Sequence, residues 1–284
     1  MQRAITRLDH LIIGVQDLEG ARARWARLGF TSTPRGRHVG WATANYCIMF
    51  ADDYLELLGI VDPAAFTNGL DELLAERGEG LLGIALQSSD AAATAAAWQE
   101  AGLASAAAGS LMRLLESEDP AVELRFANVM LDPADRPGFN IFACQHLTPE
   151  KLRRPAWLRH ANGAVRIAGL TVMADEVEPL AALAERLVGS AEITRTDDLF
   201  AVQTGSAPIM LATPDDAALL HPGFALPEAA PEPRLAVLEI AVDDPARTAS
   251  FLAGQNVPHM WEGGTALLVA PEHTNGVHLA FVPG

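Results

Sequence analysis

Leu8-Asp9-His10-Leu11-Ile12-Ile13-Gly14-Val15-Gln16-Asp17 reads as an apolar strand closed by a polar pair, and the order of elements after it decides the fold. Asp17 is placed to cap a helix over Leu18 to Leu28, which stops at Gly29-Phe30. The same order returns three times along the chain. Leu82 to Leu86 leads through Ser89-Asp90 into an Ala-rich helix that contains Trp98 and ends at Gly102-Leu103. Ile167 to Val172 leads past Asp175 into a Leu- and Ala-rich helix that ends near Leu187 and Gly189. Leu235 to Ala241 turns at Asp243-Asp244-Pro245 and runs through a helix around Phe251 to Gly254. Recurrence of a whole supersecondary unit outweighs any single element as evidence of architecture.

Three short strand-like runs come after each helix; in the first copy they are Thr31 to Thr33, Ala44 to Phe50 and Tyr54 to Val61. The chain therefore reads as α+β, with four βαβββ modules at about residues 5–62, 79–147, 164–213 and 233–283. One such unit covers only one face of its sheet, so units must pair to finish a core, and the concave space between paired units is a natural pocket. The turn-prone stretch Leu147 to Gly163 divides the 284 residues into two units, 1–148 and 163–284. The Pro-rich segment Ala212 to Pro233 between the third and fourth modules reads as a surface excursion, with a lid or an edge cover as the alternatives.

Composition narrows the function classes. Half of the residues are apolar and 6% aromatic, enough for a packed core without disulfides. A formal net charge of −16 would repel a phosphate backbone, which argues against nucleic acid as a partner. No apolar stretch is long enough to cross a bilayer, and Met1-Gln2-Arg3-Ala4-Ile5-Thr6-Arg7 lacks the apolar core of an export signal. Cys47 and Cys144 both lie in apolar runs and read as buried reduced thiols, so a cytoplasmic protein is expected. Gly-rich phosphate loops, Cys-x-x-Cys pairs, nucleophile elbows and His-Glu-x-x-His helices are all absent from the sequence.

Val15-Gln16-Asp17-Leu18 after the first strand and Leu28-Gly29-Phe30 after the first helix resemble the vicinal oxygen chelate superfamily. Gly36-Arg37-His38-Val39-Gly40-Trp41-Ala42-Thr43-Ala44-Asn45, together with Tyr54-Leu55-Glu56-Leu57-Leu58, is similar to its glyoxalase-like domain group. The resemblance implies two glyoxalase/bleomycin-resistance-like barrels, made by pairing modules one with two and three with four. It also implies a cleft that in many relatives holds a divalent metal (Zn, Fe, Mn, Ni or Mg), with ligands from the first and last strands of a module. Those positions here are His10 and Glu56.

The residues bear on this directly. Glu56 interrupts an apolar strand, where a charge is costly unless paired or coordinated. Read alone, His10 is a histidine hydrogen-bonded at a strand end and Glu56 an edge residue facing solvent. On the strand, His10 is read with inner parity alongside Leu8 and Ile12. The first-strand positions of the other modules fall near Gly83, Ala168 and Val237, and the last strand of module four offers Ala280, so no second chelating set is expected. The loops hold His38, His146 and His160 as further ligands within reach of the first cleft. His38 and Glu56 are the candidates for moving a proton, and Trp41, Asn45 and Cys144 for the wall that meets substrate.

The leading expectation is a small-molecule enzyme that binds a vicinal-oxygen substrate in the first cleft, of lyase, isomerase or dioxygenase type. Extradiol dioxygenases share the four-module length, but the His, His, Glu set expected in their second half is missing. The alternative is a protein that sequesters a small molecule in a metal-free cleft, and a third view is an interaction scaffold. A homodimer stays open as the assembly.

Overall fold

The fold is α+β, with two eight-stranded sheets, each built from two modules. It is seen in a computed structural model that describes residues 4–105, 107–116 and 121–284; residues 1–3, where the expectation about export begins, lie outside them. No helix among the described residues is long and apolar enough to cross a membrane.

Module one runs β1 (Ile5–Val15), α1 (Leu18–Arg27), β2 (Gly36–His38), β3 (Thr43–Met49) and β4 (Tyr54–Ile60). A helix absent from the expected order, α2 (Leu70–Arg77), precedes module two: β5 (Gly80–Ser88), α3 (Ala91–Glu100), β6 (Gly109–Leu115), β7 (Val122–Met130) and β8 (Asn140–His146). After α4 (Pro149–Leu152) come β9 (Ala164–Met173), α5 (Glu178–Val188), β10 (Ile193–Thr196), β11 (Leu199–Val202) and β12 (Ile209–Ala212). The last part holds α6 (Pro214–Leu220), β13 (Arg234–Val242), α7 (Pro245–Gly254), β14 (Met260–Glu262), β15 (Ala266–Val269) and β16 (His278–Pro283).

Asp17, Asp90 and Asp244 cap α1, α3 and α7 as N-cap acceptors for amides of the first turn. Asp175 does not take that role. The cap of α5 is Val177, and the Asp175 carboxylate instead accepts the Ala230 amide. The second strand of module one is also displaced from its expected position: Gly36–His38 forms it, not Thr31 to Thr33. β-Branched Thr31 and Thr33 favour extended backbone, but long-range pairing decides the strand, since Gly36 and Arg37 pair with β3 while Gly36 to His38 pair with β6 of the other module.

In each module the first strand lies parallel to the last, as in the register Ile12 to Glu56. The antiparallel pair β1–β5 joins modules one and two, and β2–β6 closes the ring into a barrel. Only this first half closes. In the second half the counterparts of β2 and β6 are β10 and β14, with four and three residues, and they end the sheet unpaired. The Pro-rich segment supplies the cover instead. Ala217, Phe224, Leu226 and Ala230 pack on Met173, Ala212, Ala236 and Val237, and His221 Nε2 lies 2.8 Å from Thr171 Oγ1. The segment thus runs over the surface, as its prolines suggest, while Ala217, His221 and Ala230 anchor it on the face of the second sheet.

The opposite faces of both sheets share one apolar core, which includes Leu11, Ile13 and Trp25 from the first half and Leu170, Leu238 and Phe281 from the second. A separate cluster fills part of the barrel interior, where Leu152, Trp157 and Leu158 of the linker pack against Met49, Leu124 and Phe126.

Candidate functional site

The interior of the first barrel holds a cavity of about 640 Å³, including its open mouth, lined by His10, His38, Trp41, Glu56, Arg113, Phe142 and Cys144 among others. β1 brings His10 to it, with Asp9 behind the ring, through a backbone irregularity. Leu8 pairs with Leu86 and His10 with Ala85, so Asp9 is an extra residue in β1, a bulge. The bulge switches the parity of the strand. Leu8 packs in the shared outer core while Ile12 belongs to the inner cluster, so the expected alignment of Leu8 with His10 fails at Asp9.

His10 and Glu56 are almost completely buried, at 2% and 5% exposure, so neither is a solvent-facing edge residue. His10 Nδ1 lies 2.6 Å from Asp9 Oδ2, and the same oxygen lies 2.9 Å from His146 Nε2. The other nitrogen of His10 is 3.2 Å from Glu56 Oε2, close enough for an ion pair but not aligned for a hydrogen bond. Tyr54 stacks on the ring at 4.3 Å and fixes its plane. On the opposite side of Glu56, Oε1 accepts a hydrogen bond from Asn45 Nδ2 and lies 3.8 Å from His38 Nε2, whose Nδ1 is 2.8 Å from Thr43 Oγ1.

Charges in this interior are set by neighbours working against burial. Burial favours the neutral form of Glu56, yet His10 beside it and the charges of His38 and Arg113 hold its carboxyl down at about 2. Asp9 is likewise kept well below the usual carboxylate range, by His146 and His10 against burial. Burial would lower His10, but Asp9 and Glu56 together raise it. His38 has no such pair of carboxylates; burial dominates and pushes it down to about 4, so it is a neutral imidazole at pH 7.

Several expected residues fall elsewhere. Asn45 does not line the cavity; it is fully buried and acts on Glu56. Trp41 and Cys144 do line it. His160 is remote from the cavity, held by the Thr31 amide and close to the Met49 carbonyl between Phe30 and Phe50. Two residues unforeseen from the sequence belong to the site: Arg113 of β6, 2% exposed, lines the cavity, and Asp9 stands behind His10. Arg113 interrupts Leu111-Met112-Arg113-Leu114-Leu115 just as Glu56 interrupts its own strand, so the same criterion applied there would have found it.

The residues fit a metal in part. His10 Nε2 is a buried nitrogen without a directed partner, and its Nδ1 is anchored by a carboxylate, the arrangement that orients a ligating imidazole. Module two adds nothing symmetric to His10 and Glu56, because the registers Ile12 to Glu56 and Ala85 to Phe142 place Phe142 at the position of the second carboxylate. A second set exists beside the first. Among the described residues, Asp9, Cys144 and His146 bring three possible ligand atoms within 4.8 Å of one another.

Residues 8–188, well over half of the chain, match the glyoxalase-like domain family. The chain belongs to that family. No functionally curated protein matches it. Among solved structures, this glyoxalase-like chain is similar to a hypothetical protein from Staphylococcus aureus, with 11% identity, a TM-score of 0.68 and 98% of both chains covered. It is also similar to 4-hydroxymandelate synthase from Streptomyces coelicolor, with 14% identity, a TM-score of 0.61, and 99% of this chain and 93% of that one covered. A xylose isomerase-like TIM barrel/4-hydroxyphenylpyruvate dioxygenase fusion protein aligns with 99% of this chain and 49% of its own, at 15% identity and a TM-score of 0.60. At these identities the likeness establishes the vicinal oxygen chelate fold and leaves the chemistry to the site.

Proposed function

We propose that the protein is a glyoxalase-like small-molecule enzyme that works in the barrel of the first half, where His10 and Glu56 hold a divalent metal. One observation carries this reading: the buried, unpartnered Nε2 of His10 lies 3.2 Å from a Glu56 oxygen while Asp9 fixes the other side of the ring. When bound, the metal supplies a Lewis acid for two adjacent oxygens of a substrate. The side chains do the rest. Trp41 and Phe142 give apolar walls, and Asn45 holds Glu56 in place. His38 is neutral and beside Glu56, so it is the group suited to take a proton from a substrate carbon or hydroxyl and return it. That is chemistry of lyase or isomerase type, and the fold is shared with dioxygenases.

The three-atom set of Asp9, Cys144 and His146 favours a second reading, in which a thiolate ligand selects zinc. Titration with Co²⁺ monitored by absorption separates the two. Binding without a sulfur-to-metal charge-transfer band, retained in Cys144→Ser and lost in Glu56→Gln, supports the His10–Glu56 site. A charge-transfer band lost in Cys144→Ser assigns the metal to the second set, and a protein that binds no divalent metal refutes both and leaves a metal-free binding cleft.

A further inference from the structure

Arg113 is a cation that feels the charge of Glu56 but has no anion in direct contact among the described residues. It forms no ion pair within 4 Å among the described residues, although its side chain is buried inside the barrel and lines the cavity. A guanidinium stays charged at any physiological pH, so its burial is costly until an acceptor reaches it. One donor, Nη1, is 3.1 Å from the Cys47 sulfur, a weak acceptor and a neutral one, since burial pushes that thiol up to about 12. The Nε and Nη2 donors are buried and have no partner among the described residues. These two N–H groups share one edge of the guanidinium and point in parallel, the spacing that matches the two oxygens of a carboxylate. Glu56 does not serve as that carboxylate, because Asn45 and His10 already engage it.

We propose that Arg113 anchors the carboxylate of a small organic monoanion through its Nε–H and Nη2–H edge, with the apolar body of the ligand against Leu58, Leu111, Phe126 and Met130. The proposal names the substrate class of the barrel site and rests on reading that barrel as the ligand site. Phe126 already lies under the guanidinium, 5.3 Å from ring centroid to Cζ, which holds the fork in one plane. A phosphate dianion suits the interior less well, for it would meet a single arginine in the company of two carboxylates, Asp9 and Glu56. A metal suits Arg113 not at all, since the side chain has only donors.

The test is calorimetric titration of the full chain with phenylacetate, phenylacetamide and phenyl phosphate. Phenylacetate is expected to bind at least about tenfold more tightly than either of the others, and Arg113→Gln to weaken it by about 30- to 300-fold, in keeping with loss of a charge-assisted bidentate pair. Arg113→Lys keeps the charge but loses the paired edge, so an intermediate loss of about tenfold is expected, and this variant decides the matter if Arg113→Gln does not fold. Equal binding of acid and amide, preference for phenyl phosphate, unchanged binding in Arg113→Gln, or no binding of phenylacetate to the wild type each overturns the proposal. Co²⁺ titration of the same preparations reads the metal site separately. Carboxylate binding lost with Co²⁺ retained therefore counts against Arg113 as anchor in the wild type and for it in the variants.

Discussion

Asp9 touches both His10 and His146 while lining neither wall of the cavity, so its effect must pass through the rings it holds. Replacing it by Asn keeps the shape but removes the charge that orients His10. The expected outcome is a fall of about 10- to 100-fold in Co²⁺ affinity with an unchanged far-ultraviolet dichroism spectrum. A second buried carboxyl belongs to the scaffold. Asp53, in the turn between β3 and β4, accepts the Ile167 amide across the two halves, and burial pushes its pKa up to about 7. The folded chain therefore keeps a proton that the unfolded chain releases above about 4, so this group lowers stability as pH rises from about 4 to 7 and holds it level beyond. Asp53→Asn retains the acceptor without the charge, and urea unfolding at pH 8 should show a gain of about 1–3 kcal/mol that shrinks to near zero at pH 4. Of these residues the sequence discloses Glu56 through a charge within an apolar strand, and Arg113 carries the same mark in β6 although it is not among the candidates drawn from the sequence. It did not disclose Asp9, because a bulge is a property of the pairing between β1 and β5 and leaves no trace in β1 itself.

At the level of elements, the short strand β2 has more influence than its three residues suggest. It pairs with β3 on one side and β6 on the other, and Gly36 lets Asn45 and Arg113 approach its backbone. A methyl group at that position would lie 2.7 Å from Arg113 Cδ and closer still to the Asn45 side-chain oxygen. Gly36→Ala must therefore displace the residue that steadies Glu56 together with the arginine fork. It should cost about 1–3 kcal/mol in stability and weaken Co²⁺ and phenylacetate alike, as titration of one preparation with both would show. The first strand of each module and three of the four helix caps were legible, because strand, Asp cap and helix are local. β2 and the packing of the Pro-rich segment on the second sheet were not, since both are defined by contacts made far along the chain. Phe224, Leu226 and Ala230 were the available sign that this segment has an apolar face to bury.

For the molecule as a whole, the repeat predicts two equal halves and the packing joins them. Trp98 Nε1 donates to the Leu187 carbonyl, Gly276 sits against the backbone of Glu79, and one apolar core takes residues from both sheets. Units cut at 1–148 and 163–284 would each expose half of that core. Differential scanning calorimetry should accordingly give a single transition whose calorimetric and van't Hoff enthalpies agree; two resolved transitions would show that the halves fold independently. The difference between a closed ring and an open sheet also has a bearing on how the protein behaves when concentrated. A barrel has no free rim for another chain to extend, whereas the second sheet ends in two rows of unsatisfied amides and carbonyls. Arg195, paired with Glu178 and Asp198, sets charge along β10, but β14 carries Met260 and Trp261 at 52% and 43% exposure, with Pro258 just before it as its main guard. Aggregation of the native protein should therefore nucleate at β14, and a lysine in place of Trp261 should lengthen the lag before turbidity while leaving the barrel chemistry untouched.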